Sequence, residues 1–169
     1  MEREWTVEES VPVAASPDAV YAALSDPRRM REWSPELFAV WVRDRGETAE
    51  GTRFVGFNRL RWRIWFTNCE VTAAIPGRAF AFRVTSFGMP VALWGYRIEG
   101  IGEDAASTRL AEYWQDLRRD SRTARPVSLL GRVFTGVPAE RRAELNRRGM
   151  RATLDRIRAS LEATAAPRS

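Results

Sequence analysis

Between Leu37 and Asp116 six apolar-alternating segments follow one another with breaks too short to hold a helix. They run over Leu37–Arg45, Gly51–Arg59, Trp62–Ala74, Ala79–Phe87, Val91–Glu99 and Thr108–Asp116, separated by two to eight residues. Each alternates with period two, the signature of a half-buried strand. Parallel neighbours would need crossovers of about a dozen residues or more, so the spacing predicts an antiparallel meander. One face is recorded segment by segment: Phe54, Gly56 and Asn58; then Trp65, Thr67, Cys69 and Val71; then Phe80, Phe82 and Val84. It continues through Trp94, Tyr96 and Ile98 to Leu110, Glu112 and Trp114. Such a face must be covered.

The cover is at the end of the chain. Ala139–Ala165 has no proline, and Ala143, Asn146, Met150, Thr153, Leu154, Ile157 and Leu161 form one stripe at helical period. Arg141, Arg142, Arg148, Arg151, Arg156 and Arg158 fall elsewhere on the wheel, with i,i+4 partners at Glu144/Arg148, Arg151/Asp155 and Arg158/Glu162. At the start, Trp5–Val13 alternates as a strand, with Pro12 at an edge or its end. Ser16-Pro17-Asp18 reads as a helix cap, N1 proline and acidic first turn. Asp26-Pro27 repeats the signal for a second short helix ending near Trp33. Leu117–Pro138 connects the last strand to the last helix, and the spacing of Val127, Leu130 and Phe134 predicts a short helix or ordered flap there. The expected fold is α+β: about seven antiparallel strands curved round a long C-terminal helix, with two short helices after the first strand. A single domain is expected over 1–165, with a disordered tail over 166–169.

Composition removes whole classes of chemistry. Among 169 residues there is no histidine and no lysine; all 27 basic residues are arginine. Ser-His-Asp and Cys-His catalysis, His-ligated zinc, Schiff bases and P-loops are therefore excluded. No metal and no cofactor is expected. The one cysteine, Cys69, reads as a small buried hydrophobe. The longest uncharged stretch, Val84–Tyr96, is 13 residues and too short to span a bilayer as a helix. With no signal-peptide pattern at Met1–Trp5, a cytoplasmic location is expected. Charge is uneven: 14 Arg against 17 acids up to Asp116, net −3, then 13 Arg against 5 acids, net +8. The basic half could be a solvated helix face, or could dock weakly to an acyl carrier or an anionic surface. No nucleic-acid motif accompanies it, so no nucleic-acid partner is expected, and the oligomeric state is not readable.

A sheet curled round one helix leaves space between them, filled either by large side chains or by a ligand. In that setting the ordered set Val11–Pro17 with Val20-Tyr21, Ser25-Asp26-Pro27, Met30–Glu36, Gly51–Phe54, Asn58-Arg59, Pro76-Gly77, Trp94-Gly95-Tyr96, Thr108–Trp114 and Asn146–Met150 carries a resemblance. It resembles the START-like (SRPBCC, birch-pollen-allergen-like) helix-grip superfamily, in its polyketide cyclase/dehydrase and lipid-transport branch. The resemblance implies a cavity for a hydrophobic small molecule (polyketide, lipid or aromatic) held by a carrier or sensor. The alternative is a cyclase/aromatase acting by acid–base chemistry and shape.

The candidate wall is Trp41, Asn58, Trp65, Phe80, Phe82, Trp94, Trp114, Asn146 and Met150, which could equally be core packing. The candidate catalytic groups are Glu112 and Tyr96. A buried carboxylate is costly unless paired, so Glu112 is either bonded to Arg59, Asn146 or the Trp33 indole, or a base with a raised pKa. Asn58 and Asn146 could bond each other or polarise a ligand carbonyl. Gly149 is expected to let the last helix approach a bulky aromatic.

Overall fold

The structure is a computed structural model and describes residues 5–86, 88–118 and 139–165. Its strands are β1 (Thr6–Val13), β2 (Leu37–Val42), β3 (Arg53–Leu60), β4 (Arg63–Ile75), β5 (Ala79–Ser86), β6 (Met89–Ile101) and β7 (Ser107–Asp116). The helices are α1 (Pro17–Leu24), α2 (Met30–Trp33, entered through a 3-10 turn at Pro27–Arg29) and α3 (Ala139–Ala165). All seven strands pair antiparallel in the order β1-β7-β6-β5-β4-β3-β2. This is the helix-grip α+β fold, with α3 lying on β1 and β7 and the meander curling away beyond it.

Local chemistry sets the ends. The Ser16 hydroxyl accepts from the Ala19 amide with Pro17 at N1, and the Asp26 carboxylate accepts from the Arg28 amide ahead of α2. β6 begins at Met89, earlier than the Gly88-Met89-Pro90 break suggests. Pro90 is tolerated because its pairing with Thr85 falls where the register shifts, a position that needs no ladder N–H.

The stripe on α3 is buried as expected: Ala143, Asn146, Met150, Thr153, Leu154 and Ile157 all face the sheet. The polar face differs from the helical-pair expectation. Only Glu144–Arg148 forms, at 3.0 Å. Arg151 instead reaches Glu9 on β1, which Arg147 also contacts, and Arg158 turns back to Asp155. Glu162 accepts from the Ala14 amide, and Arg156 donates to the Trp33 carbonyl. Arg151 and Glu162 thus take partners on other elements, which tie the helix down, while Arg158 stays with a local partner. The helix or flap expected around Val127, Leu130 and Phe134, and the tail 166–169, lie outside the described residues.

Candidate functional site

Register converts the sheet into rows of side chains on its concave face. One row is Val71, Phe82, Trp94, Trp114 and Val7; the next is Phe54, Cys69, Val84, Ala92 and Asp116. Beyond them stand Gly56 with Thr67, and Asn58 with Trp65. On the other side Phe80, Tyr96 and Glu112 are directly opposite one another. Between these rows and α3 lies a cavity of about 620 Å³. This is within the range of about 300–1,000 Å³ typical of small-molecule sites.

Of the expected residues, Asn58, Trp65, Phe82, Trp94, Trp114, Asn146 and Met150 line it, as do Tyr96 and Glu112. Two stand elsewhere. Trp41 is 58% exposed on the convex face. A bulge between Leu37 and Ala39 shifts the phase of β2, so Val40 and Val42 accompany Gly56 and Phe54 while Trp41 pairs with Val55. Phe80 is on the concave face but fully buried in the core. There α1 packs over the ends of β5, β6 and β7. Gly149 does not face a bulky aromatic; a Cβ there would meet only Pro35, at an ordinary 3.7 Å.

The polar groups of the cavity are unevenly satisfied. The Tyr96 hydroxyl donates to Glu112 Oε1 at 3.2 Å, so neither Arg59, Asn146 nor the Trp33 indole is the carboxyl's partner. Glu112 Oε2 has none, and neither has Asn146 Nδ2. Asn58 does not bond Asn146; its amide donates to the Gly56 carbonyl and to Thr67 Oγ1, each at 3.3 Å. Burial raises Glu112 from about 4.5 to about 8, the Tyr96 hydrogen bond opposing only part of that rise. The carboxyl is thus mainly protonated at neutral pH. Burial first, then the Glu112 charge and hydrogen bond, push Tyr96 well above its ordinary value. Cys69 lines the cavity, and burial lifts its thiol to about 12, which leaves it inert as a nucleophile.

Sequence reasoning passed over the rim. Arg142 falls outside the apolar stripe of the wheel, yet it lines the cavity, bonds Glu36 at 2.8 Å and keeps one buried nitrogen, Nη1, without a partner. Its position one turn before Asn146 carried that signal. Arg118, also on the rim, is fork-bonded to fully buried Asp116 at 2.8 Å through both Nε and Nη2. Ala92 and Val84 complete the wall and were foreshadowed by the parity of Trp94 and Phe82.

Among the described residues no cluster of His, Cys, Asp or Glu could hold a metal, and no helix is long and apolar enough to cross a membrane.

The family model described as polyketide cyclase/dehydrase and lipid transport matches residues 4–162. No curated protein matches the chain. Among solved structures, the Polyketide_cyc-like protein Cgl2372 from Corynebacterium glutamicum is 30% identical, with 98% of this chain and 96% of that one covered and a TM-score of 0.63. The Zhui aromatase/cyclase from Streptomyces sp. R1128 is 19% identical, with 95% of each chain covered and a TM-score of 0.69. The di-domain ARO/CYC BexL from the BE-7585A biosynthetic pathway is 16% identical over 97% of this chain and 48% of that one, with a TM-score of 0.64. At those two lower identities the likeness is one of fold.

Proposed function

Because the chain belongs to the polyketide cyclase/dehydrase and lipid-transport family, we propose that it binds a hydrophobic small molecule (polyketide, lipid or aromatic) between sheet and α3, as a carrier or sensor. One observation carries the reading: a large, mostly apolar hollow whose lining residues keep three polar atoms without partners, Glu112 Oε2 and Asn146 Nδ2 on its walls and Arg142 Nη1 at its rim. Aromatic walls suit a flat or chain-like apolar body. A buried polar atom without a partner costs about 1–3 kcal/mol, so a guest that supplies oxygens at the two wall points gains specificity as well as affinity. Protonated Glu112 and the Asn146 amide are both donors, which favours carbonyl or hydroxyl oxygens on the guest.

Native mass spectrometry of the purified protein tests the reading. A co-purifying apolar molecule is expected. Ala92→Trp, which puts an indole into the hollow from a nearly buried wall position, is expected to weaken retention at least about tenfold by overpacking it, while the folded state survives. Unchanged retention in that variant removes the cavity as the binding site.

The Glu112–Tyr96 pair favours a second reading, aldol cyclisation or dehydration of a poly-β-keto chain. A carboxyl titrating near pH 8 at the cavity wall can protonate a developing alkoxide or a departing hydroxyl, with Tyr96 keeping it oriented and Asn146 holding a carbonyl; the Asn58 amide is already engaged by Gly56 and Thr67. Acid–base help of this kind is worth about 10²–10⁴-fold. In this reading Glu112→Gln loses turnover by about that factor and keeps the ligand. Equal turnover in both proteins rules out Glu112 as the acid.

A further inference from the structure

We propose that the tip of the β3–β4 hairpin docks the protein onto an anionic lipid surface and presents the cavity mouth to it. The tip carries Trp62, 78% exposed, with Ile64 at 61% and Phe66 at 58% beside it. Phe66 lies opposite Phe57 on the convex face, and Phe57 is 6.5 Å from Phe38 of β2, itself 44% exposed. A contiguous apolar patch of this kind marks an interaction surface.

Its charge selects the partner. From Asn58 to Asn68 there are three arginines, Arg59, Arg61 and Arg63, and no acid. Arg59 lies over the Phe38 ring at 5.8 Å and Arg63 over the Trp62 indole at 4.4 Å. Exposed tryptophan among arginines is the composition of a bilayer interface, where the ring sits at headgroup level and the guanidinium meets phosphate. A second copy of the chain would bring three like charges against three, so the patch is poorly suited to self-association. Asn58 and Trp65, paired on the concave face of the same hairpin, line the cavity and are only partly buried, so the opening lies beside the hairpin. The hairpin arginines lie outside the basic C-terminal part of the sequence.

The test uses the full chain with phosphatidylcholine vesicles, with and without phosphatidylserine, read by co-sedimentation. Binding is expected only with phosphatidylserine and is expected to fall as salt is added. The double variant R59Q/R61N should bind roughly 25-fold more weakly, about fivefold for each arginine. Asn suits the left-handed backbone of Arg61 (φ 57°), so the turn is kept. Trp62→Ala should also release the protein, with its circular dichroism unchanged.

Several results would overturn the proposal. They are no binding to anionic vesicles, or binding that survives both hairpin variants and is lost on replacing Arg122 and Arg125. Binding to an acidic protein but not to vesicles, or a dimer abolished by Trp62→Ala, would do so as well. The proposal does not depend on what fills the cavity, because native mass spectrometry of the hairpin variants reads ligand retention separately.

Discussion

Glu112→Gln is expected to stabilise the protein by about 3 kcal/mol at pH 7 and by about 5 kcal/mol above pH 8, because the wild-type carboxyl is raised from about 4.5 to about 8 in the fold. The sign follows from proton counting. Between pH 4.5 and 8 the unfolded chain has Glu112 ionised while the folded chain keeps it protonated. The native state therefore binds more protons there, and stability falls as pH rises through that window. Below about pH 4.5 both states are protonated and the penalty vanishes; above about pH 8 both are ionised and it is complete. Glutamine is neutral at every pH, still accepts from the Tyr96 hydroxyl through its carbonyl, and leaves one polar atom facing the cavity, as the acid does. The gain would raise Tm by about 10 °C at neutral pH for a chain of this length. Urea unfolding of both proteins at pH 4.5, 7 and 9 reads it directly. Two curves that stay parallel across this range would show that Glu112 is solvated in the native state, and the acid role in the second functional reading would go with it. A stabilising substitution at a cavity wall also means that this carboxyl is kept at a cost to stability, which is the usual mark of a functional group.

Why Glu112 was legible and its partner was not illustrates what a sequence carries. The alternation Leu110, Glu112, Trp114 places the carboxyl inward by strand parity alone. Tyr96 also faces inward by parity, but that it stands directly opposite Glu112 depends on the β6–β7 register, which no local pattern states. The same division recurs elsewhere. The span Ala139–Ala165 and its buried stripe were readable because a 3.6-residue period persists over seven turns. Trp41 was misplaced because one extra residue in β2 inverts every side chain after it, and Leu37-Phe38-Ala39-Val40 alternates acceptably in either phase. Arg142 carries no inward signal of its own in the sequence, because an arginine on the wheel's shoulder is normally solvated. Only the approach of Glu36, from the segment between α2 and β2, makes an inward position tolerable.

Phe80 and Phe82 are expected to separate core from cavity by an effect of several kcal/mol. They are two residues apart on one strand and face the same side, so parity treats them alike. Phe80 is 0% exposed among α1, β5, β6 and β7, a close-packed end of the sheet that cannot collapse without moving backbone. Phe80→Ala should cost about 3–5 kcal/mol, the lost transfer energy plus the void left behind. Phe82 packs edge-on against Phe54 at 5.3 Å, but its other side borders the hollow and it is half-buried. A space that already exists is not created by truncating it, so Phe82→Ala should cost about 1–2 kcal/mol, mainly from lost contact with Phe54. Ligand retention should respond in the opposite order. Phe82→Ala widens the hollow and loosens or broadens what is held, whereas Phe80→Ala at a temperature where it remains folded should retain the same guest as wild type. Denaturant midpoints paired with native mass spectra of both variants measure the two orders together. Equal destabilisation by the two substitutions would mean that the interior near Phe82 is as tightly filled as that near Phe80, and the space assigned to a ligand would then be occupied by the protein's own side chains.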